Sequence, residues 1–173
     1  MPNHVHLILV PPVDTALGVA LGATHRRYTQ RINRRENWQG HLWQDRFHSF
    51  VMDDAHVLNC ARYVEQNPLK AGLVERPENW PWSSARAHLA GRNDGLCQVA
   101  PMLNRVAESF GMDWREYLTQ PTQVENLDTF HRHNRSGFPL GDRAFLDQQE
   151  KVIGRKLTLR QLGRPRNQEE RLP

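Results

Sequence analysis

Apolar residues first gather at the very start of the chain. His4-Val5-His6-Leu7-Ile8-Leu9-Val10 is a short, aliphatic-rich run closed by Pro11-Pro12, a pattern that predicts a β-strand. Side chains alternate along a strand, so His4 and His6 are expected on one face and Val5, Leu7 and Leu9 on the other. Aliphatics on both faces predict a central place in a sheet. The period then changes. Leu17, Leu21, Thr24, Tyr28 and Ile32 recur at steps of three and four, predicting a helix capped by Asp14-Thr15 and running to about Asn33–Arg35. Asn37-Trp38-Gln39-Gly40 breaks it, and a second strand is predicted over Phe47–Met52. Asp53-Asp54 cap a helix from Ala55 to Gln66, with Val57, Leu58, Ala61 and Val64 on its buried side. Asn67-Pro68 is expected to stop it.

Farther along, Pro77–Ser84 reads as an aromatic turn and Ala85–Ala90 as a helix ended by Gly91. Pro101–Phe110 and Trp114–Thr119 look helical. Gly137–Asp142 is a loop whose last residue caps a helix carrying Ala144, Phe145, Val152 and Ile153. The expected organisation is a catalytic-type unit over residues 1–91, a helical extension over 92–162 and a basic, disordered tail over 163–173. No internal repeats are visible.

Charge alters this picture. The chain carries 23 Lys and Arg against 19 Asp and Glu, a net +4, with a pI of about 9.5. That balance favours an anionic partner, nucleic acid first. The excess is concentrated in residues 14–50 and 151–173, while 51–150 is net acidic. In the first basic stretch Arg26, Arg27, Arg31 and Arg34 lie mainly off the apolar stripe, placed for phosphate contact. Arg46 sits beside Trp43 and Phe47, which are either core residues or platforms for unpaired bases. In the tail, Gly163-Arg164-Pro165-Arg166 can lie in an A·T minor groove through Arg164 and Arg166. Cys60 and Cys97 have neither zinc-knuckle nor disulfide-framework spacing. No apolar run is long enough to span a membrane. A cytoplasmic, nucleoid-associated protein is expected.

The candidate chemistry returns to the first run. Two imidazoles on one face of a strand can hold one divalent ion. Tyr63 and Asn67 are four apart, hence on one helical face. If that helix lies beside the histidine strand, His4, His6 and the Asn67 oxygen make three ligands and leave positions open for water and a phosphate oxygen. Such a nitrogen/oxygen set suits Mn²⁺ or Mg²⁺. Tyr63 would present its phenol to the same phosphate as a nucleophile. Glu65 and Gln66 are neighbouring ligand candidates that the spacing favours less. His41, His48, His131 and His133 have no ligand geometry and read as surface residues.

Several separated motifs carry a resemblance. Met1-Pro2-Asn3-His4-Val5-His6-Leu7 resembles the His-hydrophobic-His (HUH) motif of IS200-type single-tyrosine transposases, and more narrowly of the transposases associated with repetitive extragenic palindromes (REP). The likeness continues through Gly40–Phe47, Ala61–Val74 and Trp80–Ser84, and more loosely through Gly137–Gly141 and Gly163–Arg166. The resemblance implies an α+β fold with an antiparallel sheet and flanking helices, ferredoxin-like in topology. Relatives carry a strand and a helix ahead of the histidine motif, and this chain is expected to lack both. The implied activity is metal-dependent cleavage and rejoining of single-stranded DNA at hairpin sites through a 5′-phosphotyrosine, by a monomer or a homodimer. Tyr63 matches the nucleophile, His4 and His6 the metal-binding histidines, and Asn67 the third ligand. The competing classes are a non-catalytic protein that recognises palindromic DNA and a nuclease that uses metal-activated water.

Overall fold

The computed structural model describes residues 1–13, 16–121 and 124–157. The expected Asp14-Thr15 cap and the tail with Arg164 and Arg166 lie outside the described residues. The described elements are α1 (Ala16–Glu36), α2 (Asp54–Lys70), a 3₁₀ turn (Pro77–Asn79), α3 (Ala85–Ala90), α4 (Ala100–Phe110), α5 (Trp114–Thr119), α6 (Val124–Ser136) and α7 (Arg143–Ile153). No helix among the described residues is long and apolar enough to cross a membrane.

This helical architecture overturns the expected α+β fold with its antiparallel, ferredoxin-like sheet. Among the described residues there is no strand. His4–Val10 runs without ladder partners, and Phe47–Met52 contributes only an isolated parallel bridge from Met52 to Leu140. A strand is stable only beside another strand, and no described segment lies in register with the first run. Its aliphatics confirm this, since Val5, Leu7 and Leu9 are all more than half exposed. Ile8 packs against the core instead. Ile8 is thus the point of attachment, not the aliphatics that the strand reading set opposite His4 and His6.

α2 is the element the others gather on. It touches the 3₁₀ turn, α4, α5 and α6. Its start is set by Asp53, whose carboxylate accepts from the His56 backbone N–H at 2.9 Å and from Asp142 N–H at 2.8 Å. Its end corrects the expected stop before Pro68, because the helix continues to Lys70. Pro68 removes one N–H from the ladder, yet only two helical residues follow it. The last carbonyls, those of Asn67, Pro68 and Leu69, accept from the N–H groups of Ala71, Leu73 and Gly72. Asn67 consequently lies inside the helix.

Leu58 and Ala61 of α2 form the core with Val106, Trp114 and Tyr117. In their midst sits Glu65, 1% exposed. Its carboxylate accepts from Ser84 Oγ at 2.6 Å, His88 Nδ1 at 2.6 Å and Trp114 Nε1 at 2.9 Å. A buried carboxylate is costly unless its lone pairs are filled, and three donors from α3, its N-cap and α5 fill these. The same bonds fix how α2 is rotated about its axis. Replacing Glu65 by alanine leaves three buried donors without an acceptor, and we expect urea unfolding to show a loss of about 3 kcal/mol or more. A loss under about 1 kcal/mol would mean the cluster does not anchor the helix.

Candidate active site

α2 turns about 100° per residue. With Glu65 pointing into the core, Tyr63 and Asn67 emerge together on the opposite side. The Asn67 side chain hydrogen-bonds the Tyr63 hydroxyl. The two other ligand candidates are directed elsewhere. Glu65 is consumed by its three donors, and the Gln66 amide donates to the Leu118 and Gln120 carbonyls.

The N-terminal segment crosses this outward face. The His4 and His6 rings meet edge to face, 4.8 Å between centroids, and His6 meets Tyr63 the same way at 5.7 Å. The sequence-predicted residues His4, His6, Tyr63 and Asn67 are therefore brought together. His4 Nδ1 lies 2.7 Å from Asn3 Oδ1. An amide oxygen only accepts, so Nδ1 carries the proton and Nε2 keeps its lone pair. Among the described residues no group of three or more His, Cys, Asp or Glu side chains is arranged to hold a metal ion. The set here is two imidazoles and an amide.

α6, which sequence periodicity did not predict, supplies the rest of the surroundings. Phe130 lies 5.8 Å from the Tyr63 ring and His131 meets it edge-on at 6.3 Å. His133 corrects its surface reading, being buried with Nδ1 against the Phe138 carbonyl at 2.8 Å. Residues two apart on a helix face nearly opposite ways, so only His131 reaches the tyrosine.

The electrostatics follow from this crowding. Burial, then the positive charges of His4, the chain amino group and His131, push the His6 pKa down to about 4. Burial and the amino group also lower His4. Both imidazoles are neutral at pH 7, the form that binds metals. Burial raises the Tyr63 pKa, the neighbouring Cys60 adds to the rise, and the Asn67 hydrogen bond opposes it. The phenol keeps its proton at neutral pH. Burial pushes the Cys60 thiol up to about 11, so it too is uncharged there.

The predicted DNA-contact residues form separate groups. Arg26, Arg27, Arg31 and Arg34 are exposed on α1, and none joins an ion pair among the described residues. Arg27, Arg31 and Arg34 share one face by their spacing. Trp43 is half-buried and stacks on His25 at 4.1 Å, with Tyr28 beside it at 5.6 Å. Arg46 is exposed over the Phe47 ring.

Comparison with known proteins agrees with the motif pattern. Residues 1–67 match the family model for IS200-like transposases. A protein of Haemophilus influenzae, provisionally described as a REP-associated tyrosine transposase, is 28% identical over 95 residues, covering 49% of this chain and 54% of that one. The chain thus spans about half the length of the curated relative it matches. No solved structure matches.

Proton NMR on the metal-free chain can test this geometry. The His6 ring should titrate near pH 4. In His4→Ala it should move upward, because a positive neighbour is gone, yet stay below the ordinary 6.5 because burial persists. A His6 value at 6.5 in the intact chain would mean that the N-terminal segment does not lie on α2.

Proposed function

We propose, from the match of residues 1–67 to the IS200-like transposases, that the chain is a tyrosine transposase that cuts and rejoins single-stranded DNA at hairpins, as in REP-type palindromes. The observation that carries this reading is the meeting of Tyr63 and Asn67 with His4 and His6 on one side of α2.

The donors fit a divalent ion such as Mg²⁺ or Mn²⁺. Both imidazoles are neutral, His4 Nε2 has a free lone pair, and the Asn67 amide adds an oxygen. When bound by His4, His6 and Asn67, such an ion supplies electrophilic polarisation of the phosphate. The remaining chemistry belongs to the side chains. Tyr63 Oη attacks phosphorus and forms the 5′-phosphotyrosine bond. The bond from phosphorus to the 3′ oxygen breaks, and that oxygen leaves as a hydroxyl. The phenolic proton departs as the new bond forms and the leaving 3′ oxygen takes up one proton, so the step conserves protons; the His131 imidazole, edge-on to the Tyr63 ring, is the base proposed to relay it. Asn67 orients the phenol and favours its ionised form. Rejoining is the reverse, a 3′ hydroxyl displacing Tyr63. The basic face of α1, with Arg26, Arg27, Arg31 and Arg34, and Arg46 in the following loop supply phosphate contacts. Arg164 and Arg166 complete the proposed set from the tail.

A second reading is a hairpin-binding protein that does not cut, and the raised pKa of Tyr63 favours it. One assay separates the two. The protein is mixed with a labelled single-stranded hairpin and Mn²⁺, then denatured and run on a gel. A covalent protein–DNA band that disappears in Tyr63→Phe is the expected result. Shifted but uncut DNA would support the non-catalytic reading, and cleavage that survives Tyr63→Phe would sink the covalent mechanism.

A further inference from the structure

The loop after α1 and the C-terminal end of α6 face each other across an open cleft of about 380 Å³. Arg46, His48 and Ser49 line one side, and Asn134, Arg135 and Ser136 the other. No carboxylate lines it. Arg46 and Arg135 are both exposed, and neither joins an ion pair among the described residues. Arg46 carries its guanidinium carbon 5.9 Å from the centre of the Phe47 ring, which covers the aromatic face and leaves N–H groups free.

The cleft shares a helix with the tyrosine site. His131 touches Tyr63, and Arg135 lies one turn farther along α6, ~6 Å down its axis. A strand whose phosphate sits at Tyr63 thus passes the cleft within a short run of nucleotides.

We propose that this cleft grips a second backbone phosphate of the same single strand, held jointly by Arg46 and Arg135. The proposal rests on the reading of single-stranded DNA as substrate. Two guanidinium forks, an amide and hydroxyls form the donor set that phosphate oxygens recognise. A divalent cation would need oxygen anions that are lacking here, and a stacked base would need a ring face that Arg46 covers. The adverse charge at the α6 C-terminus is met locally. The His133 carbonyl accepts from Gly137 N–H at 2.8 Å, and Arg135 sits in the last turn, where a cation is favoured. A helix beyond the family-matched residues 1–67 thereby becomes part of the DNA grip.

Binding to a fluorescent single-stranded hairpin oligonucleotide, followed across salt concentrations without divalent ions, tests this on the full chain. Each phosphate contact contributes about 0.7 to the slope of log affinity against log salt for single strands. Arg135→Ala should lower the slope by about that amount and weaken binding about tenfold at low salt. The Arg46→Ala/Arg135→Ala double variant should lower it no further, because one phosphate is shared. Arg115→Ala, an exposed arginine paired with Glu78 on α5, should leave the slope unchanged. An unchanged slope in Arg135→Ala, or an equal fall in Arg115→Ala, would overturn the cleft and leave the family reading standing. Failure of the intact chain to bind the oligonucleotide at all would overturn both. Unaltered melting of the variants guards against misfolding.

Discussion

Everything at the candidate site depends on the buried Glu65 carboxylate. It is two residues after Tyr63 and two before Asn67. Because the helix turns about 100° per residue, fixing Glu65 in the core fixes both of the others on the far side. Ser84, His88 and Trp114 hold it there. The aromatic turn and α5 therefore act on the chemistry without touching it, by setting the rotation of α2. Among the described residues the core cluster holds five buried side chains, with five partly buried hydrophobics packed against it. A small core makes a satisfied polar anchor more important for specifying one arrangement.

The N-terminal segment completes the site with less support. Ile8 is its attachment to the core, while Val5, Leu7 and Leu9 remain largely exposed. Burial, and after it neighbouring positive charge, works against protonation of both histidines, so the segment presents two lone-pair donors beside a protonated phenol. Burial and the neighbouring Cys60 raise the Tyr63 pKa, and the opposing Asn67 hydrogen bond does not offset them, so the phenol stays protonated.

What the sequence disclosed and concealed divides along physical lines. Caps and helical periodicity are local, and Asp53 and Asp142 each cap the helix that follows, as expected. The four-residue step from Tyr63 to Asn67 was legible for the same reason. Strands are not local. The His4–Val10 run has the composition of a strand, but pairing depends on a neighbour that no single segment can reveal. Pro68 was misread because a proline at a helix terminus and one that breaks a helix look alike in sequence. His131 was read as a surface residue because its approach to Tyr63 depends on the packing of α6 against α2, which no local pattern reports. The place of Glu65 depends on a distant partner, Trp114, and Arg135 lines a cleft with the distant Arg46.

The most direct test of the account is paramagnetic broadening by Mn²⁺ in NMR spectra of the intact chain. If α2 and the N-terminal segment assemble one cation-binding site, the resonances of His4, His6, Tyr63 and Asn67 should broaden together at the lowest Mn²⁺ concentrations, ahead of exposed carboxylates such as Asp54 and Asp147. Broadening that begins at those carboxylates and spares the four would contradict it.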